Sequence, residues 1–213
     1  MLRELRGMRS ERDRSGMARF GINTERALGI SVTRLRRIAR ELGRDHELAA
    51  ALWSSEVHEA RILAILIEEH DRVTIRQMEV WARDFDSWDL VDLACIHLFS
   101  RTPHASKMAE RWAGRRAEFV KRAAFALIAS LAARRDADVT QATWRRFLSL
   151  CEREAWDDRN FVRKAVNWAV RQIGKRDDRL RPLALRTAHR ILSQDTRSAR
   201  WIAKDALREL ERA

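Results

Sequence analysis

Apolar residues recur every three or four positions along almost the whole chain, the spacing that lines one face of an α-helix. This periodicity predicts helices over 1–19, 32–42, 45–53, 55–70, 74–84 and 87–101. It continues over 105–113, 117–134, 140–154, 160–175, 178–194 and 197–212. Ser31 reads as the N-cap of the 32–42 helix and Gly43 as its stop. With 7 Gly and 2 Pro in 213 residues, breakers are few, and no segment reads convincingly as a strand. The elements form six helix pairs joined by short polar loops.

The second helices of these pairs resemble one another. Phe119-Val120-Lys121-Arg122-Ala123-Ala124 returns 42 residues later as Phe161-Val162-Arg163-Lys164-Ala165-Val166, with a weaker copy at Ser198-Ala199-Arg200-Trp201-Ile202-Ala203. That period falls in the range of HEAT-type repeats. A lone helix pair cannot bury its apolar face, whereas stacked pairs can, and stacking lines one surface with equivalent helices. The expected fold is all-α, an α-solenoid of about six antiparallel pairs with a concave face, forming one domain over 1–213.

Charge sharpens this picture. The formal net charge is +12, and only five of the 43 basic residues are Lys, the rest being Arg. Guanidinium groups fork onto phosphate, so a polyanionic partner is the natural reading, against the plainer one of solvated helix faces. Stacking would set Lys121, Arg122, Arg163, Lys164 and Arg200 in a row at equivalent first turns. Basic side chains oppose the helix dipole there, but with free backbone N–H groups they suit phosphate. The competing explanation is that they form the polar side of amphipathic helices.

One helix start stands apart: Phe85-Asp86-Ser87-Trp88-Asp89-Leu90-Val91-Asp92. Ser87 or Asp86 can cap it. Trp88 and Asp92 lie four apart and share a face, which Asp89 joins by its spacing of three from Asp92. A Trp beside a carboxylate is unusual for a core, although Trp88 packing between repeats with Asp92 paired to an Arg would also satisfy the pattern. In the repeated helix, Lys164, Trp168 and Arg171 project near one side.

In the order and position of these motifs the chain resembles the HEAT-like-repeat DNA alkylation repair glycosylases of the AlkD type. The resemblance runs through Gly29-Ile30-Ser31-Val32 with Leu35-Arg36, then Leu52-Trp53 with Glu59-Ala60-Arg61, then Trp88 to Asp92. It continues through Phe119 to Ala123 and Phe161 to Ala165, with Trp168 and Arg171. It implies a right-handed superhelix with a basic concave groove, and excision of cationic alkylated purines from duplex DNA without a base pocket. It gives Trp88 and Asp92 as the active-site Trp-x-x-x-Asp, Trp168 as a second sugar contact and Arg122 as the active-site Arg. Lys121, Arg163, Lys164, Arg171 and Arg200 become DNA-backbone contacts. No metal or cofactor is implied, and a monomer is. The chain departs from the family in having no Tyr, whereas characterised glycosylases use an N-terminal one; Phe20 stands in the comparable region without a hydroxyl.

The remaining residues suggest packing. The six His show no ligand spacing, and Cys95 and Cys151 read as small buried residues in a reducing cytoplasm. Trp53, Trp81, Trp112, Trp144, Trp156 and Trp201 are expected between helices. Asp45, Glu59 and Asp205 read as caps or ion-pair partners. No apolar run reaches the roughly 18 residues of a membrane span, and the N-terminus lacks a secretory signal. Two other functions fit the same solenoid: a non-enzymatic module for DNA or branched nucleic acid, and a protein-interaction scaffold.

Overall fold

The computed structural model describes residues 1–212, among which there are thirteen α-helices, one 3-10 turn and no strand. They group into two compact units, Met1–Thr102 and Pro103–Ala213.

The first unit holds α1 (Leu2–Gly7), α2 (Glu11–Ala18), α3 (Val32–Leu42), α4 (His46–Ser54), α5 (His58–Ile67), α6 (Ile75–Arg83) and α7 (Trp88–His97), then the 3-10 turn Phe99–Arg101. The expected opening helix over 1–19 is broken in two. Ser10 leaves helical geometry, caps α2 by accepting the Asp13 N–H, and donates its own N–H to the Leu28 carbonyl at 2.8 Å. Side-chain caps at Ser31, Asp45 and Thr74 start α3, α4 and α6. Gly43 ends α3 with φ 74°, in the region that glycine enters most easily. Buried along nearly its whole length, α5 packs against α3, α4 and α7. On its flank the indoles of Trp53 and Trp81 stack at 3.9 Å, and the Arg61 guanidinium lies 5.2 Å from the Trp53 ring.

The irregular segment between α2 and α3 has no secondary structure to satisfy its backbone, so side chains do so. The fully buried Glu59 carboxylate accepts the N–H groups of Leu28 and Gly29 at 2.7 Å and of Ile30 at 3.2 Å. Ser87 and Asp86, the two expected caps of α7, instead hold Asn23: Ser87 Oγ accepts its N–H at 3.0 Å and Asp86 accepts its side-chain amide at 3.1 Å. Gly29 has φ 83°, and a Cβ there would run into the Ser10 carbonyl.

The second unit holds α8 (Ala105–Trp112), α9 (Glu118–Ala133), α10 (Gln141–Glu154), α11 (Asn160–Arg176), α12 (Arg181–Leu192) and α13 (Arg197–Leu210). Apolar almost all round, α9 is buried from Val120 to Ala132, as a helix enclosed by others must be. It packs on α8 and α11, and α11 packs in turn on α10, α12 and α13. The repeat is visible in these contacts: the Phe119 and Phe161 rings meet at 5.6 Å, and Asn167 of α11 donates to the Ile202 carbonyl of α13 at 3.1 Å. Arg176 donates to the carbonyls of Leu131, Ala132, Arg134 and Ala137, closing the negative C-terminal end of α9.

Candidate functional site

Trp88 is the first residue of α7 and Asp92 lies one turn further on the same face. Both are half-buried. The Trp88 indole is fixed by its N–H, which Nε1 donates to the Phe20 carbonyl at 2.9 Å. The backbone segment that carries Phe20 is itself held by Glu59, Ser87 and Asp86, so the ring's placement traces back to buried polar groups on α5 and α7. Phe20's own ring is exposed, at 73%.

Sequence reasoning missed the group behind this pair. Asp89, the residue after Trp88, accepts from buried His58 of α5 at 2.9 Å. Its other oxygen, Oδ1, is buried without a hydrogen-bond partner. Burial opposes the imidazolium charge, but the bond to Asp89 and the charges of Asp89, Glu59 and Asp86 outweigh it and raise the His58 pKa above its ordinary 6.5. Burial likewise pushes the Asp89 carboxyl up, and His58 more than offsets this, leaving it below its ordinary 3.8. No sequence motif marks this pair; the signal is a His and an Asp at adjoining starts of helices that pack together. An apolar-walled cavity of about 580 Å³ lies beside it, lined by α2, the segment after it, Ile62 and Asp89.

The expected basic row of the second unit is not uniform. Lys121 is 5% exposed and its ammonium is bound to Glu154 at 2.7 Å and Asp157 at 3.1 Å, with the Trp156 ring 5.3 Å away. A lysine so enclosed is an internal ion pair, and the expectation that it contacts DNA is corrected on that ground. Arg159 completes the cluster, and although burial opposes it, bonding to Arg159 and Lys121 holds the Asp157 carboxyl down at about 2. Arg171 is similarly occupied by Glu209 and, at 3.6 Å, Asp205, so it too is an intramolecular partner in this structure. Arg122 is buried, donates to the Phe161 carbonyl at 2.7 Å and lies over the Phe161 ring. Arg163 lies 5.2 Å from the Trp201 ring. Arg200 holds Asp195 at 2.6 Å in a solvent-exposed pair. Lys164 is exposed, and Trp168, one turn beyond it on α11, is half-buried.

Trp53, Trp81, Trp112 and Trp144 are buried as expected. Trp156 and Trp201 differ, being 57% and 39% exposed, and each has a cation over its ring, Lys121 and Arg163. Cys95 and Cys151 are buried, and burial pushes the Cys151 thiol far up. Among the described residues no cluster of three or more His, Cys, Asp or Glu could hold a metal ion, and no helix is long and apolar enough to cross a membrane.

The family model described as DNA alkylation repair enzyme matches residues 1–210. A solved structure from a new family of proteins related to the HEAT-like repeat DNA glycosylases, with affinity for branched DNA structures, superposes with a TM-score of 0.81. The two share 17% identity over 99% of this chain and 92% of the other, a likeness that shows the HEAT-like repeat fold. No curated protein matches this chain.

The His58–Asp89 pair yields a pH signature. His58 has a raised pKa, so its contribution to stability is full below 6.5 and fades as pH rises through the raised value. Asp89 has a lowered one, so its contribution is full above 3.8 and fades as pH falls through the lowered value. His58→Gln should therefore cost most between these two values, about 3 kcal/mol, and less on either side. Urea unfolding at stepped pH checks this; a cost independent of pH would contradict it.

Proposed function

The chain belongs to the DNA alkylation repair enzyme family, and from that membership we propose that it is a DNA glycosylase, one repair domain over 1–213, excising cationic N3- and N7-alkylated purines from duplex DNA. The observation that carries this reading is the Trp88–Asp92 pair: an indole tethered through its N–H, with a half-buried carboxylate one turn along the same helix. Plain phosphate binding has no use for that carboxylate.

The chemistry needs little else. An alkylated purine already carries positive charge. When the bond from sugar C1′ to the base nitrogen breaks, the bonding pair goes to the nitrogen and the base departs neutral, without a general acid. The sugar is left oxocarbenium-like. The Asp92 carboxylate stabilises that cation, more strongly for being partly shielded from water. Water then adds to C1′ and gives up its proton to Asp92 or to solvent, leaving an abasic site. One carboxylate suffices, unlike the paired acids of glycoside hydrolases. The Trp88 face packs on the sugar and favours its developing charge.

In the second unit, the proposed roles are a further sugar contact for Trp168 and a fixed positive charge near phosphate for Arg122. Lys164, Arg163 and Arg200 are the proposed backbone contacts. The exposed Arg200 pair is weak enough to exchange a carboxylate for a phosphate. The enzyme is proposed to act as a cytoplasmic monomer without metal or cofactor.

A second reading, a non-catalytic binder of branched DNA, is favoured by the stated affinity of the solved relative and by the lack of Tyr in this chain.

Single-turnover release of methylpurine from methylated duplex separates the two. Asp92→Asn should slow release by about 100-fold, with duplex affinity within about threefold of wild type, a change worth less than 1 kcal/mol. Absence of release from the wild type, with branched-DNA binding intact, would establish the second reading instead.

The lysines make a separate test. Lys164→Ala should lower the slope of log affinity against log salt by about one. Lys121→Met should leave that slope unchanged while costing about 3 kcal/mol in urea unfolding. A lower slope in Lys121→Met would restore it as a phosphate contact.

A further inference from the structure

We propose that a recess at the far end of α7, lined by Arg36, Arg40, Arg44 and His97, is a phosphate-binding site separate from the Trp88–Asp92 site. Trp88 is the first residue of α7 and His97 the last, and ten helical residues span about 15 Å. One phosphate therefore cannot serve both places.

The recess measures about 390 Å³, and its remaining lining is Ala39, Gly43 and Leu66, with no carboxylate. A water takes about 30 Å³, so a phosphate fits with part of its hydration shell. Arg36 and Arg40 stand one turn apart on α3. The Gly43 turn then brings Arg44 back onto the end of α5, where its Nη1 donates to the carbonyls of Leu66 at 3.1 Å and Glu68 at 2.7 Å. Those bonds fix the guanidinium and leave its other N–H groups for a ligand.

Arginines at helix C-termini often serve only to neutralise the local dipole. That accounts for Arg44 and for Arg40 in the last turn of α3. It does not account for Arg36, whose Nη2 lies 3.2 Å from His97 Nε2. A guanidinium has only donors, so Nε2 must accept and the ring is neutral with its proton on Nδ1. Burial, then the charges of Arg36, Arg101 and Arg44, depress the His97 pKa below its ordinary 6.5. Three solvent-exposed guanidinium groups thus line one recess around an imidazole that carries no charge of its own. A phosphate oxyanion supplies the counter-charge that this lining lacks, and Arg is the side chain suited to fork onto it.

The phosphate is either a free phosphate ion or a diester of a nucleic-acid backbone. The test is the His97 titration in the intact protein, followed by NMR with chloride added to match ionic strength. Inorganic phosphate is one arm and an unmodified duplex without terminal phosphates the other. Bound anion should raise the His97 pKa by about 1, and Arg40→Gln should weaken that response about tenfold in ligand concentration. A response to inorganic phosphate assigns the site to the free ion; a response to duplex alone assigns it to the backbone. An unchanged titration in both arms overturns the site, as does a response that Arg40→Gln leaves intact.

Discussion

A charge withdrawn from water must find a counter-charge or a set of donors, or it costs several kcal/mol. Among such charges at the N-terminal ends of helices are Glu59 and His58 on α5 and Lys121 on α9. Glu59 takes three backbone N–H groups, His58 takes Asp89, and Lys121 takes Glu154 and Asp157. Each bond set ties a helix start to a different element. Apolar stacking alone would let helices slide or rotate by small steps, whereas these directional contacts admit one register. The line from Glu59 through the segment at 28–30 to the Phe20 carbonyl ends at the Trp88 indole. The candidate site is therefore aimed by charges that never touch it.

The helices were legible because their apolar faces repeat at the helical period, and the caps Ser31 and Asp45 were legible for the same local reason. Each begins a helix where a short polar side chain precedes an apolar run, and the cap at Thr74 was not named because it fell inside the expected 74–84 helix. The 42-residue repeat was legible too, since Phe119 and Phe161 occupy equivalent places that meet in space. The break at Ser10 was not, because its cause is a carbonyl eighteen residues away, that of Leu28. Lys121 was misread for a related reason. Its sequence neighbours match those of Arg163 in the next repeat, and only Glu154 and Asp157, from other parts of the chain, make it an internal cation. Spacing of three and four identifies the face that Trp88 and Asp92 share, but it cannot reveal the His behind Asp89.

The two carboxylates of α7 illustrate how environment divides labour. Asp89 is engaged by His58 and buried on its other oxygen, a structural anion. Asp92, three residues on, is half-buried on the face of Trp88. Helix geometry puts them close, and packing gives them different surroundings. Cationic side chains divide in the same way, with Lys121 and Arg171 occupied within the fold and Lys164 left at the surface.

The proposed cleavage relies on the charge of the leaving base and on one carboxylate, with no general acid. Its most direct measurement is release from duplexes carrying a single lesion, one with a cationic N7-methylguanine and one with a neutral hypoxanthine. The account predicts enzymatic release of the cationic base and none above background for the neutral one. Comparable release of both would require an acid that protonates the departing base, and would contradict it.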